Sequence, residues 1–189
     1  MLTVTVLFEV LSAWLLADLI TGIVHWIQDK YVDHNDSIDF LDSIAEYNEL
    51  HHQKPTAMIQ NSGWTNMQSS FYVSTPVALG AWLIGAPLWL WLACFFCGFG
   101  NLVHRWAHLP KRRLNWGIRF MQWTGLFISH EHHDRHHRSM EGLVPKHLSG
   151  YRFCPMTNWV NPVLDSIRFW PSLEHVLSNF GLDTIRRIE

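Results

Sequence analysis

Thirteen histidines are the unusual feature of this sequence, and most of them fall in clusters. A spacing of four residues recurs in these clusters, as in His104 and His108 and again within the run from His132 to His137. Residues four apart lie on one face of a helix, so each such pair can present two imidazoles to one ion. Neutral imidazole binds zinc, copper, iron and nickel. The repeated pairs therefore predict a metal site, although a single pair would be better explained as structural histidines.

The number of clustered histidines favours two ions over one. A catalytic zinc uses three protein ligands and a water, whereas up to ten of the eleven clustered histidines are expected to converge here. Only His34 and His175 stand apart from the clusters. Each ligating imidazole needs a hydrogen-bond partner on its other nitrogen. Asp18 is the best carboxylate for this role, because it lies seven residues, or about two helical turns, before His25. The alternative for Asp18 is a role in helix packing.

Two long apolar stretches must position these histidines. Residues 2–27 carry only Glu9 and Asp18 as charges, and we predict a retained membrane helix at about 3–27, because a cleavable signal peptide would need basic residues near its start. Residues 55–104 contain no Asp, Glu, Lys or Arg, and Gly85-Ala86-Pro87 is a turn signal within them. The pattern predicts a hairpin of two membrane-embedded helices, at about 64–84 and 86–108.

The basic residues predict which side of the membrane carries the histidines. All 14 Lys and Arg residues lie at or after Lys30, and none lies near the N-terminus or the hairpin tip. The positive-inside rule then places residues 28–63 and 104–189 in the cytoplasm. We therefore expect a multi-pass integral membrane protein with a cytoplasmic metal site. A bacterial inner membrane is favoured, or the endoplasmic reticulum if the source is eukaryotic.

A third apolar segment, residues 114–128, is too short to span. Its aromatic residues recur at helical spacing, at Trp116, Phe120, Trp123 and Phe127. They predict either an interfacial helix beneath the membrane or an ordinary core helix. We expect one all-α domain over residues 1–189, with about three transmembrane or membrane-embedded helices, an interfacial helix and a cytoplasmic or interfacial cap over 110–189.

Charge and cysteine content exclude two classes. The formal charge is −2, so a nucleic-acid partner is not expected. The three cysteines imply no disulfide framework.

The order and spacing of the motifs resemble the Kua-type lipid desaturases, within the His-rich membrane di-iron desaturases and hydroxylases. That family includes plasmanylethanolamine desaturase and the plant plastid enzyme that desaturates palmitate on phosphatidylglycerol. The matching stretches are Ala17-Asp18 with Gly22-x-x-His25-Trp26, His51-His52-x-x-Pro55-Thr56, Asn101-x-x-His104-x-Trp106-x-His108, His132-His133-x-x-His136-His137, His147, and Asn158-Trp159-x-Asn161-Pro162 leading to Phe169-Trp170.

The resemblance implies a set of iron ligands and supporting residues. The implied ligands are His25, His51, His52, His104, His108, His132, His133, His136, His137 and His147. Among these, catalysis is expected at His104, His108, His136 and His137. The implied supporting residues around the cofactor are Asp18, Asp29, Asn66 and Asn101.

The resemblance also implies a reaction. Two non-haem iron ions would use O₂ as co-substrate and electrons from an external donor, such as cytochrome b₅ or ferredoxin with its reductase. The substrate would be a membrane phospholipid. The product would be the vinyl ether of a plasmalogen or, alternatively, an acyl double bond on phosphatidylglycerol.

Three other functions stay open at this point. A di-iron lipid hydroxylase would share the first hydrogen abstraction. A membrane zinc hydrolase is a weaker alternative, since His130-Glu131-His132-His133 has the wrong spacing for the H-E-x-x-H motif. A metal-handling or scaffold protein would instead have exposed, replaceable histidines. Oligomeric state is not indicated by the sequence.

Overall fold

A computed structural model describes residues 2–32, 39–140 and 151–184, and all regular elements in these ranges are helical. The expectation of an all-α fold is confirmed for this part of the chain. The helices are α1 (Leu2–Tyr31), α2 (Asp39–Gln53), α3 (Ala57–Gln60), α4 (Gly63–Leu83), α5 (Leu88–Cys97), α6 (Gly100–His108), α7 (Trp116–Thr124), α8 (His130–Met140), α9 (Val160–Ser166) and α10 (Phe169–Ser178), with a 3-10 turn at Lys111–Arg113.

Helix α1 is the longest element, with 30 residues. Its segment Val4–Tyr31 is long and apolar enough to cross a membrane by length and composition, and it is the one helix in the described ranges that meets both conditions. Its first half carries exposed apolar side chains such as Phe8, while Ala13 and Ala17 are fully buried further along. Helix α5 packs against α1, and the Cys97 Sγ atom on α5 lies 3.9 Å from the Ala17 carbonyl oxygen.

The expected hairpin is present, but its second arm is not one helix. Gly85, with φ of 71°, lies in the turn between α4 and α5, as the Gly-Ala-Pro signal predicted. The prediction of one helix over 86–108 was wrong, because the chain breaks between α5 and α6. At the break, the Gly98 and Phe99 amides donate to carbonyls three residues earlier instead of four. The number of helices that cross a membrane therefore stays a prediction.

Helix α7 displays its aromatic face to the outside. Its ends are fixed by the Asn115 side chain, which accepts from the Ile118 amide, and by Gly125 in the left-handed conformation. Trp116 and Trp123 are 83% and 80% exposed. This exposure argues against the core-helix alternative, and contact of the face with a membrane remains a prediction.

A buried loop packs against α1. We call residues 151–158 the carbonyl loop, because its carbonyl oxygens are used in the site described below. Phe153, Cys154 and Met156 within it are fully buried. The loop packs against α1 where Gly22 has no side chain, since a Cβ there would lie 2.6 Å from the Cys154 Sγ atom. Glycine at this position therefore permits the loop to reach the interior.

Candidate metal centre

Two adjoining groups of buried ligand atoms form the most conspicuous cluster of polar residues in the structure. The five-histidine group contains His51, His104, His108, His133 and His137. The carboxylate group contains His25, Asp29, His52 and His136. In each group, one ligand atom per residue lies within 4.8 Å of all the others. The groups touch, as shown by ring-centroid distances of 4.8 Å between His52 and His137 and 5.3 Å between His25 and His104.

Four helices supply these side chains. Helix α1 contributes His25 and Asp29, which are one turn apart, and α2 contributes the adjacent pair His51 and His52. The pairs at a spacing of four residues come from α6 and α8, as predicted. Because each helix presents its ligands on the face turned toward the others, the site lies where the four helices meet.

The nitrogen atoms of the five-histidine group are arranged as ligands of a shared cation. His133 Nε2 lies 2.7 Å from His104 Nε2 and 3.0 Å from the Nε2 atoms of His108 and His137. One ring nitrogen carries at most one proton or one free lone pair, so it cannot form three hydrogen bonds at once. An ion about 2.1 Å from each nitrogen would place neighbouring nitrogens about 3 Å apart. The donor set therefore fits a metal ion.

The carboxylate group has its own unpaired atoms. Asp29 Oδ1 accepts from the Asn48 amide at 2.7 Å and lies 3.0 Å from His52 Nε2. Asp29 Oδ2 is buried, has no hydrogen-bond partner among the described residues, and lies 3.5 Å from His25 Nε2 and 3.3 Å from His136 Nε2. Buried unpaired polar atoms are costly, and a bound cation would satisfy all three.

Backbone carbonyls fix the orientation of two imidazoles in the carboxylate group. His25 Nδ1 lies 2.9 Å from the Phe153 carbonyl oxygen, and His136 Nδ1 lies 2.8 Å from the Tyr151 carbonyl oxygen. A carbonyl can only accept, so each Nδ1 carries the proton and each Nε2 keeps its lone pair for a metal. The carbonyl loop thus sets the tautomer of both residues.

Burial keeps the imidazoles of the five-histidine group neutral. Desolvation, followed by the neighbouring histidines, lowers the pKa values of His51, His133 and His137 far below the ordinary value of 6.5. Metals bind the neutral form of histidine. These side chains are consequently in the ligand form at neutral pH.

Asp18 lies away from the histidines and acts on the carbonyl loop. Its carboxylate is fully buried and accepts from the Met156 amide at 2.7 Å, the Thr157 amide at 3.1 Å and the Thr157 hydroxyl at 2.7 Å. The expected direct contact with His25 is absent among its hydrogen bonds, since His25 Nδ1 is paired with Phe153 instead. Asp18 therefore supports the site through the loop.

Asp29, expected as a supporting residue, lies among the ligand atoms. Asn66 donates to the carbonyls of Met58 and Ser62, and Asn101 lies 3.4 Å from the Ser69 hydroxyl. These two amides therefore tie helices together near the site, with no hydrogen bond to the clustered histidines among those described.

Eight of the ten expected ligands lie in the two groups, and one further described residue, His132, lies in neither. His132 is not grouped with its predicted partner His136, and its Nε2 lies 2.8 Å from the Arg152 Nη1 atom. Burial, with the charges of Arg152 and Arg135, lowers the pKa of His132 to about 3, so it accepts as a neutral ring. His147 lies outside the described residues.

Three contributors to the site were not predicted from the sequence. Asn48 holds Asp29, and the carbonyls of Tyr151 and Phe153 hold two histidines. Asn48 lies three residues before His51, on the same helical face, which was an available signal. Backbone carbonyls leave no signal in residue type, so they could not have been found.

Comparisons with known proteins give a consistent result. A family model described as a lipid desaturase domain matches residues 14–184. The chain is 28% identical to plasmanylethanolamine desaturase 1 of Mus musculus, over 93% of the chain and 66% of the mouse protein. It is 29% identical to the chloroplastic fatty acid desaturase 4-like 2 of Arabidopsis thaliana, over 88% of the chain and 57% of the plant protein.

A viral relative is covered more completely. The chain is 25% identical to a probable fatty acid desaturase of Acanthamoeba polyphaga mimivirus, over 88% of the chain and 79% of the viral protein. The chain thus spans less than two thirds of the mouse and plant relatives and about four fifths of the viral one. No solved structure matches the chain.

Proposed function

Because the chain belongs to the lipid desaturase family, we propose that it is a membrane oxidoreductase that uses two iron ions and O₂ to introduce a double bond into a hydrocarbon chain of a phospholipid. The observation that carries the proposal is the pair of adjoining, buried ligand groups, of five and four residues. A single catalytic zinc ion would use only about three protein ligands, so this donor set supports two metals, and membership of the lipid desaturase family supports a redox reaction over hydrolysis.

Bound iron would supply the O₂-activating redox chemistry that acid–base side chains cannot perform on an unactivated alkyl chain. The overall reaction balances with an external donor. Two hydrogens leave adjacent carbons, and a carbon–carbon double bond forms with loss of two electrons from the lipid. The donor supplies two further electrons together with two protons, and O₂ is reduced to two molecules of water.

Residues of the chain orient the proposed metal ligands and limit the access of water. The carbonyl loop orients the Nε2 lone pairs of His25 and His136, and Asn48 orients the carboxylate of Asp29. Asp29 offers negative charge that offsets part of the charge of bound cations. Burial of His133 and His136, at 1% and 0% exposure, limits access of bulk water to the centre.

An alkyl ether chain is the substrate that we propose first. The mouse relative is named for an ether lipid, plasmanylethanolamine. Desaturation of the first two carbons of such a chain would give the vinyl ether of a plasmalogen. An acyl chain, as on phosphatidylglycerol, is the second candidate, because the viral and plant relatives are named as fatty acid desaturases.

The proposed setting is a membrane, with the metal centre on its cytoplasmic side. The apolar segment Val4–Tyr31 and the exposed aromatic face of α7 support contact with lipid. A one-electron carrier such as cytochrome b₅ or ferredoxin, with its reductase, is proposed as the donor. The chain would bring lipid and donor to the same buried centre from different sides.

Product analysis tests the proposal. The protein in lipid nanodiscs is supplied with an alkyl-acyl phospholipid, iron, O₂ and a reducing system, and the lipids are analysed by mass spectrometry. We expect loss of two hydrogens and an acid-labile vinyl ether. His133→Ala should abolish the product, whereas the exposed His175→Ala should not. Addition of one oxygen would identify a hydroxylase, and unchanged lipid with the iron-loaded protein would contradict the proposal.

A further inference from the structure

Helix α7 presents three aromatic side chains on one exposed face. Trp116, Phe120 and Trp123 follow one another at spacings of four and three residues, so they lie in line along the helix. They are 83%, 49% and 80% exposed. The rings of Phe120 and Trp123 are neighbours, with centroids 5.8 Å apart. We call these three residues the α7 aromatic face. Exposed apolar groups that cluster in this way mark a surface that contacts a membrane or another protein.

Arginine side chains lie on this face and next to it. Arg119 is exposed, three residues after Trp116 and four residues before Trp123, so it shares their side of the helix. Arg112 and Arg113 are exposed in the 3-10 turn, which ends three residues before α7 begins. The surface therefore combines aromatic rings with guanidinium groups.

The segment around α7 carries positive charge only. Residues 109–130 contain four Lys and Arg residues and no Asp or Glu. Lys111 forms an ion pair at 2.5 Å with Glu131, which follows the segment. The three arginines are the other charges of the segment. Aromatic rings at the level of the lipid headgroups are typical of membrane interfaces, and the planar guanidinium group matches phosphate oxygens. An anionic lipid surface complements both features.

The opposite side of α7 is fixed to the rest of the protein. The buried Gln122 side chain donates to the Trp106 carbonyl at 3.3 Å. Just after the helix, the Leu126 carbonyl accepts from Trp14 Nε1 at 3.0 Å. Trp14 belongs to Val4–Tyr31, the segment that is long and apolar enough to cross a membrane. Helix α7 therefore lies beside the proposed membrane segment, which favours lipid over a soluble protein as the partner of its aromatic face.

We propose that the α7 aromatic face and the arginines beside it form a docking surface for anionic phospholipids. The aromatic rings lie among the lipid headgroups, and Arg112, Arg113 and Arg119 bind headgroup phosphates. Each basic residue near an anionic membrane favours binding by about fivefold, so anionic lipids are enriched next to α7. This inference rests on the membrane setting of the proposed function. It concerns the lipids that surround the protein and not the lipid that reacts.

Quenching of a fluorescent label by brominated lipids tests the proposal. Bimane is attached at Trp123→Cys in a cysteine-free background, and the protein is reconstituted in nanodiscs of phosphatidylglycerol and phosphatidylcholine in equal molar amounts. Bromine is carried by the phosphatidylglycerol in one sample and by the phosphatidylcholine in the other. Because bromine quenches only at short range, the comparison reports the local lipid composition. We expect brominated phosphatidylglycerol to quench at least about twofold more strongly.

A second label site controls for contact with lipid alone. Leu83 is an exposed apolar residue at the end of α4, and residues 55–104 contain no Lys or Arg. A label at Leu83→Cys should therefore be quenched to the same extent by both brominated lipids.

Two double variants control for charge. Arg112→Gln combined with Arg113→Gln should remove the preference for phosphatidylglycerol at the α7 label. Lys54→Gln combined with Arg138→Gln removes the same charge from exposed positions outside the segment and should keep the preference. Absence of quenching at α7, equal quenching by the two lipids, or equal loss of preference in the two double variants would overturn the proposal.

Two further points keep the test decisive. If the cysteine-free protein does not fold, phospholipids that copurify with the unlabelled double variants from mixed micelles are measured by mass spectrometry. A lower ratio of phosphatidylglycerol to phosphatidylcholine in the Arg112 and Arg113 variant supports the proposal, and equal ratios overturn it. Neither measurement needs metal or turnover. A lipid preference in a protein that leaves lipids unreacted would thus refute only the proposed reaction, and desaturation without this preference would refute only the docking surface.

Discussion

Replacement of Asp18 by asparagine should release metal from one ligand group and not from the other. The Asp18 carboxylate anchors the carbonyl loop through three hydrogen bonds, at 2.7, 3.1 and 2.7 Å. That loop orients His25 and His136, which belong to the carboxylate group. Among the contacts described, the loop makes no hydrogen bond to the five-histidine group.

The size of the effect follows from the lost hydrogen bonds. Asparagine keeps one acceptor oxygen and turns an amino group toward at least one donor, the Met156 or the Thr157 amide. A buried donor left without an acceptor costs about 1–3 kcal/mol, so we expect destabilisation of about 2 kcal/mol. If this energy is lost from docking of the loop, affinity for an ion in the carboxylate group falls by about 30-fold. The unfolding midpoint should fall by about 4–8 °C.

The assay combines thermal unfolding with metal content measured at a limiting free iron concentration. We expect Asp18→Asn to retain about one ion per chain where the wild type retains about two. Trp14→Phe is the matched control on the same helix, because Trp14 Nε1 donates to the Leu126 carbonyl and not to the carbonyl loop. It should lower stability by about 1 kcal/mol and keep both ions.

Either of two results would contradict this role of Asp18. Retention of both ions with wild-type affinity, despite lower stability, would show that Asp18 is only a packing residue. Equal loss of both ions would show that metal binding in both groups depends equally on the carbonyl loop.

The remaining predictions concern the ligands, pH, packing and topology. Asp29→Asn removes the carboxylate of its group and should lower metal content by about one ion per chain, and unchanged elemental analysis would contradict that role. Burial lowers the pKa values in the five-histidine group below 6.5, so the unfolded chain binds more protons than the folded chain as the pH falls. The metal-free protein should therefore lose stability below about pH 6.5. Melting temperatures measured at about pH 8 and about pH 5.5 test this, and the lower value is expected at about pH 5.5. Gly22→Ala places a Cβ against Cys154 and should lower the melting temperature and loosen metal binding, whereas an unchanged protein would show that the loop can shift freely. In a cysteine-free background, cysteines at Gly85 and Arg112 should be labelled from opposite sides of the membrane, and labelling from one side would overturn the proposed topology.

Local periodicity made part of the site predictable. His104 and His108, and likewise His133 and His137, are four residues apart, and both pairs do share a group. The turn at Gly85 was also predictable, because glycine and proline within an apolar run favour a turn. Glycine can adopt the positive φ seen at Gly85, and proline has a fixed φ.

Contacts between distant segments made the rest unpredictable. His132 and His136 have the same spacing as the correct pairs. However, His132 lies beside Arg152 of the carbonyl loop, whereas His136 lies beside Asp29. Asp18 and Thr157 are 139 residues apart, so nothing in the sequence pattern indicates their hydrogen bond. The break between α5 and α6 likewise depends on backbone hydrogen bonding within an apolar run that has no breaking proline.

We propose that this chain holds two redox-active metal ions in its two adjoining ligand groups. The most direct test is elemental analysis of the purified, detergent-solubilised protein, with His133→Ala and the exposed His175→Ala analysed in parallel. We expect about two iron ions per chain for the wild type and for His175→Ala, and a loss of at least one ion in His133→Ala. One zinc ion per chain without iron, or equal iron in both variants, would contradict it.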